Sequence, residues 1–130
     1  MVILFDQFNL PDEIYDVVFA TDQQAVVARM LIQELKKNDG VLTKAQMSEF
    51  AMALHDGVQV DSTVRAGGFE GKTKKTISYN KRQFYDRILT PMKSMGLIDY
   101  DLYKKVYRLS DKFAKMMEKV GRMWVQDVRK

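Results

Sequence analysis

Between Asn80 and Gly96 the chain carries Lys81, Arg82, Gln83, Arg87, Thr90, Lys93 and Ser94, side chains that meet phosphates and the edges of bases. Lysine and arginine neutralise phosphate charge, and Thr and Ser hydroxyls donate to phosphate oxygens. Arginine grips guanine in two-pronged fashion and glutamine does the same to adenine, which makes Arg82, Gln83 and Arg87 candidates for base readout; phosphate contact is an equal reading for each. Two further basic groups flank this stretch. Arg65, Lys72, Lys74 and Lys75 lie in a glycine-punctuated segment before it, and Tyr103, Lys104 and Lys105 form a polar tip after it. Together these cations would make on the order of six to eight phosphate contacts.

Other chemistries find little support. His55 is the single histidine, so no two-histidine metal motif can form, and its place near a helix end suits a cap or a surface residue. Asp99 and Asp101, two apart, could hold a hard cation, yet a solvated hairpin tip accounts for them equally well. The Gly67-Gly-Phe-Glu-Gly71 run lacks the spacing and the lysine-serine ending of a phosphate-binding loop. With no cysteine there is no disulfide framework, thiolate metal site or cysteine nucleophile. The expectation is a protein without catalytic residues, metal or cofactor.

The basic residues need a rigid support. In the Asn80–Gly96 stretch Phe84, Ile88, Met92 and Met95 recur at helical spacing and form the stripe that would face a core. Gly96 is a left-handed C-cap. Pro91 removes one backbone hydrogen bond and crowds the carbonyl four residues back, which predicts a kink near Arg87 or a new turn capped by Thr90. Leu97 to Asp99 and Val106 to Leu109 read as strands around the tip.

Upstream, Asn9 and Pro11 open a short helix to about Phe19, after the apolar run Val2 to Phe5, an edge strand or packing arm. Thr21-Asp-Gln-Gln24 and Thr43-Lys-Ala-Gln46 have capping-box form. They predict helices with Val27, Leu31 and Leu35, and with Met47, Phe50, Ala51 and Leu54, turned inward. Val41-Leu42 is a brief strand between them. Residues 57 to 79 read as a basic inserted hairpin or long loop, its tip near Gly67 to Gly71, that would contact DNA as an extra arm or stand in solvent. Ser110 caps a final helix in which Phe113, Met117, Val120 and Trp124 form a stripe. With Met116 and Met123 this stripe would serve equally as a dimer seam or as core packing.

At 130 residues the chain suits one domain. Its parts are an N-terminal extension (1–20), two helices (21–55), the insert (56–79), the basic helix (80–96), a two-stranded ribbon (97–109) and a long last helix (110–130). Net charge is +4, but residues 1–56 hold 4 Lys/Arg against 9 Asp/Glu, a balance of −5, and residues 57–130 hold 17 against 8, a balance of +9. Such asymmetry points one side at a polyanion. No apolar run approaches the roughly 20 residues of a membrane span, and Met1 to Phe5 is too short for a signal peptide, so the cytoplasm is the expected location.

Met92-Lys-Ser-Met-Gly-Leu-Ile98 at the helix exit and Val106-Tyr-Arg-Leu-Ser110 on the return strand resemble the second half of a winged helix-turn-helix domain of the kind found in small prokaryotic, archaeal and archaeal-virus regulators. The resemblance covers about a quarter of the chain. It implies a mostly helical α+β fold with a recognition helix at 80–96 and a wing at 97–109; the long insert before the recognition helix departs from the pattern, since a helix-turn-helix usually joins its second and third helices through three or four residues and about two dozen separate Leu54 from Asn80. It also implies sequence-specific binding of double-stranded DNA as a homodimer, in transcription or in plasmid or viral genome handling. A winged-helix adapter that contacts only protein is the alternative, since the fold serves both uses. Nothing in the residues identifies an effector ligand.

Overall fold

The computed structural model describes the backbone of residues 6–66 and 69–130, and the side chains of those residues except 58–77. The expected strand or arm at Val2 to Phe5 lies outside the described residues. In chain order the elements are α1 (Ile14–Val18), α2 (Asp22–Lys37), β1 (Val41–Thr43), α3 (Lys44–Asp56), β2 (Val58–Ala66) and β3 (Phe69–Ile77). A helical rod follows, made of α4 (Lys81–Phe84), a π-helical turn (Tyr85–Leu89) and α5 (Thr90–Ser94). Then come β4 (Ile98–Asp101), β5 (Val106–Leu109) and α6 (Lys112–Val128). The architecture is α+β and mostly helical, with one three-stranded antiparallel sheet in the order β1-β5-β4 and a separate two-stranded ribbon β2-β3.

α2 starts where Thr21 accepts a hydrogen bond from the Gln24 N–H at 3.2 Å. α3 has the full reciprocal box: Gln46 N–H donates to Thr43 Oγ1 at 3.2 Å, and Thr43 N–H donates to Gln46 Oε1 at 2.9 Å. α1 differs from the sequence expectation, because it begins at Ile14 and has no side-chain cap. Asp6 is the reason: its carboxylate accepts from the N–H groups of Phe8 and Asn9, both at 2.8 Å, and this local turn keeps Asn9 from acting as a helix cap.

The core gathers one face of each central helix. Val27, Leu31 and Leu35 of α2, Met47, Ala51 and Leu54 of α3, and Phe84, Ile88, Leu89 and Met92 of the rod are sealed from solvent, with Leu42, Ile98 and Tyr107 of the sheet beneath them. Phe50 and Phe84 pack with ring centroids 5.4 Å apart. β1 joins the sheet through Val41 opposite Arg108 and Thr43 opposite Val106, so the short strand between the first helices closes against the returning strand of the ribbon.

Pro91 produces neither a sharp break nor a Thr90 cap. Leu89 and Thr90 keep helical dihedrals, and the Thr90 N–H reaches back five residues to the Tyr85 carbonyl. One residue is thereby accommodated as a π-turn, one of the recognised responses to a disturbed helical ladder. The widened turn brings both Ile88 and Leu89 into the core, although Leu89 falls off the regular stripe.

The rod ends in a Schellman motif. Gly96 N–H donates to the Lys93 carbonyl at 3.1 Å and Leu97 N–H to the Met92 carbonyl at 3.0 Å, with Gly96 at φ +82°. A Cβ at Gly96 would stand 2.9 Å from Lys112 Cβ and 3.0 Å from the Phe113 nitrogen, so both the dihedral and the close approach of α6 demand glycine. Gly96→Ala is therefore expected to cost about 2 kcal/mol or more, combining left-handed strain with the clash. Urea denaturation of the two proteins checks this; an unchanged midpoint would refute the assignment.

Candidate nucleic-acid interface

The rod starts at a second reciprocal box that the sequence reading passed over. Gln83 N–H donates to Asn80 Oδ1 at 2.8 Å and Asn80 N–H donates to Gln83 Oε1 at 3.3 Å. The motif has Asn in place of Ser or Thr at the cap, followed three residues later by Gln, and that spacing was the available signal. It bears directly on Gln83. With its carbonyl oxygen engaged in the cap and the residue half-buried, a two-pronged grip on adenine would require opening the box.

The remaining polar residues of the rod stand away from the core. Lys81, Arg82, Arg87, Thr90, Lys93 and Ser94 are exposed, while Phe84, Ile88, Leu89 and Met92 behind them are at most 1% accessible. The Arg82 side chain is 92% exposed and pairs with Asp86, at 3.6 Å and one helical turn on. An exposed pair of this kind is worth well under about 1 kcal/mol, so a phosphate or base would displace Asp86 readily.

Lys81 Nζ is 3.2 Å from Ser48 Oγ and lies 6.0 Å from the centre of the Tyr85 ring, which ties the start of the rod to α3. Lys93 Nζ lies 5.9 Å from the Tyr107 ring centre, bringing the rod's second half alongside β5. Arg87 is the charged neighbour of Tyr79. Burial pushes the Tyr79 phenol up and the Arg87 charge pulls it back in part.

The basic insert meets this rod through its base. Gly57 N–H and Tyr79 N–H both donate to the Leu54 carbonyl, at 3.2 and 3.1 Å, and Ser78 Oγ donates to the His55 carbonyl at 3.1 Å. Residues 57 and 79 therefore leave and rejoin the body at one point, the C-terminus of α3. Beyond it β2 and β3 pair from Val58 opposite Ile77 to Ala66 opposite Phe69. The pairing runs into the tip expected at Gly67 to Gly71, since Gly71 falls within β3 opposite Val64; Gly67 and Gly68, between the strands, lie outside the described residues. The register puts positions 65, 72 and 74 on one face of the ribbon and 75 on the other, because alternate residues of a strand face opposite ways. The side chains of Arg65, Lys72, Lys74 and Lys75 themselves lie outside the described residues.

A cleft of about 460 Å3 opens beside the rod's first turn, lined by Met52, His55, Asp56, Asn80, Lys81 and Arg82. It lies at the junction of α3, the ribbon base and the rod.

At the other ribbon the tip is stiffened by one carboxylate. Asp101 accepts from Tyr103 N–H at 2.9 Å and from Lys104 N–H at 3.1 Å, and pairs with Arg108. Lys105 N–H donates to the Asp101 carbonyl at 2.7 Å, with Lys105 itself at φ +56°. These bonds leave Tyr103, which is 98% accessible, and the Lys104 and Lys105 side chains pointing to solvent. The same bonds commit Asp101 to the turn, and Asp99 pairs with Lys112 at 3.2 Å, so each of the two carboxylates has a cation or donor partner of its own. No group of three or more potential metal ligands occurs among the described residues.

Comparison with known proteins finds no matching family model, curated protein or solved structure. No helix among the described residues is long and apolar enough to cross a membrane.

The Lys104 N–H bond, chiefly, holds the Asp101 carboxyl below the usual 3.8, with burial opposing and the Tyr103 N–H and the Arg108 and Lys104 charges assisting. A lowered folded value means that this contribution to the turn is complete above the unfolded value and is lost as pH falls through the folded one. Following the Tyr103 and Lys104 amide signals by NMR should give a common midpoint below pH 3.8, and Asp101→Asn should abolish it. A midpoint above 3.8 would contradict the assignment.

Proposed function

We propose that this chain is a winged helix-turn-helix protein that binds double-stranded DNA sequence-specifically, as a transcriptional regulator or a plasmid or viral genome-handling factor. One observation carries the reading. The rod from Asn80 is locked to the core by Phe84, Ile88, Leu89 and Met92 and turns Lys81, Arg82, Arg87 and Lys93 to solvent on its other side. A rigid helix with a cationic outer face is what insertion in a major groove needs.

The order of elements supports the same reading. α2, β1, α3 and the rod correspond to first helix, first strand, second helix and recognition helix, and β4-β5 to the wing, with β1 completing the sheet against β5. The long insert is compatible because its two ends meet at the Leu54 carbonyl, so α3 and the rod remain neighbours as in an uninterrupted helix-turn-helix. In the proposed complex Arg82 and Arg87 read bases, Lys81, Thr90, Lys93 and Ser94 hold phosphates, and Tyr103, Lys104 and Lys105 track the backbone from the wing. The basic ribbon β2-β3 adds a third contact. No catalytic step, metal or cofactor belongs to the proposal.

The exposed apolar stripe of α6 favours one other reading, an adapter that binds protein alone. Salt separates the two. With six to eight phosphates contacted, log affinity should fall by about five to seven units per decade of salt, and an adapter would show no salt-sensitive retardation of duplex DNA. On a site selected from random duplex, Arg82→Ala and Arg87→Ala should each cost about 1–3 kcal/mol, concentrated at particular base positions. Lys104→Ala and Lys105→Ala should weaken all sequences alike and lower the salt slope by about one each. Fluorescence anisotropy measures all four, and parental binding by every variant would show that the faces are misassigned.

A further inference from the structure

α6 leaves the body almost bare. It is anchored at its first turn, where Phe113 N–H donates to the Gly96 carbonyl at 3.1 Å and Lys112 pairs with Asp99 at 3.2 Å, and none of its 17 residues is buried. Along it Met117, Val120, Trp124 and Val128 are 49%, 55%, 67% and 56% accessible, flanked by Met116 and Met123. At 100° per residue these residues share one side of the helix with Phe113, and Lys112, Lys115, Lys119 and Arg122 share the other. The core question posed by the sequence is answered against core packing: the stripe does not contribute to the body's interior.

A lone helix of this length is marginal in water, so the stripe calls for a cover. Six large apolar side chains on one side of a single helix, each 41–67% accessible, make a contiguous patch of the kind that marks a protein–protein contact rather than scattered surface residues.

We propose that the cover is a second copy of the same helix, packed antiparallel about an axis near Gly121. The charges within α6 specify the direction. Its first turn contains no acid and its last turn no base, with Lys112 and Lys115 at the start and Asp127 at the end, the reverse of what the helix dipole favours; at the N-terminus Ser110 Oγ accepts from the Lys112 N–H at 3.2 Å. Asp127 is the one charged residue on the apolar side. Parallel helices would set the two Asp127 carboxylates side by side. Antiparallel helices set each one towards the partner's first turn, near Lys112 and Lys115, and Arg129 and Lys130 fall on the outer side.

Packing agrees with this direction. An axis near Gly121 sets Met117 against Trp124 and Phe113 against Val128, and Gly121 has open space where a Cβ would be, which lets the backbones approach at the crossing. The end of the partner helix then arrives beside an apolar groove of about 270 Å3 whose lining includes Ile14, Ile32, Leu97, Leu109 and Ser110, next to the root of α6.

The inference is independent of the DNA-binding reading: a dimer indifferent to duplex would sink only that reading, and a monomer that retards duplex would sink only this one. Sedimentation equilibrium of the full chain over a concentration series should return a dimer. Val120→Glu and Trp124→Glu should each raise the dissociation constant by on the order of 30-fold or more, and Lys119→Glu on the outer side should leave it nearly unchanged. Circular dichroism and the urea midpoint of the body report whether each variant is folded.

Because the chain has no cysteine, single-cysteine variants read the direction without background. Val120→Cys, close to the axis, should oxidise to a covalent dimer, whereas Val128→Cys should not. Crosslinking of both would overturn the antiparallel arrangement. A monomer at every concentration would overturn the dimer, as would a monomer whose α6 binds anionic phosphatidylserine vesicles, which would reassign the stripe to a membrane surface.

Discussion

One carbonyl oxygen decides how this molecule is put together. Leu54, at the C-terminal end of α3, accepts hydrogen bonds from both Gly57 and Tyr79, and so brings together two points of the chain that 21 residues separate. Helix ends leave carbonyls without intrahelical partners, and here that need is met by the two strands of an inserted ribbon as they leave and return. The ribbon is thereby closed at its root, and the rod can start at Asn80 in direct contact with α3. That closure supports the apolar packing of α3 on the rod, where Phe50 and Phe84 meet with ring centroids 5.4 Å apart.

The rod's role follows from the same arrangement. Tyr79 is buried immediately before it, the Asn80–Gln83 box satisfies its first N–H groups, and the Schellman turn at Gly96 satisfies its last carbonyls. Between these ends the π-turn at Tyr85–Leu89 absorbs Pro91 without bending the rod out of the core. A helix held at both ends and along one face has little freedom to move, and a rigid support of this kind lets side chains on the free face meet a fixed lattice of charges at low entropic cost. Arg82 and Arg87 are presented in this manner; Gln83 is not, because it holds the helix start.

The protein thus divides into a well-packed body and three projections: the β2-β3 ribbon, the β4-β5 tip and α6. Their compositions differ in a way that matches different partners. The ribbon and the tip are rich in lysine, whose charge is long-ranged and indifferent to sequence. α6 presents methionines, valines and a tryptophan, which suit a dry protein surface of adaptable shape. In the proposed assembly the two uses are separate, with polyanion contact made by the rod and its flanking ribbons and self-association made by the last helix.

Much of this was legible in the residues alone, because the signals concerned are local. Capping at Thr21 and Thr43, the four-residue spacing of Val27, Leu31 and Leu35, the left-handed stop at Gly96 and the strand pattern around the β4-β5 tip each depend on neighbours a few positions away. Tertiary structure decided what local pattern leaves open. Whether Pro91 would kink the helix depended on whether the core could accept Leu89 as well as Ile88, and a π-turn was the answer. Whether the insert would separate α3 from the rod depended on a hydrogen bond between residues 25 apart, Leu54 and Tyr79. The stripe of α6 has the same periodicity as that of α2, yet one is sealed and the other open to solvent. Periodicity records that a helix has a greasy side; only the position of the surrounding elements settles whether the same chain covers it.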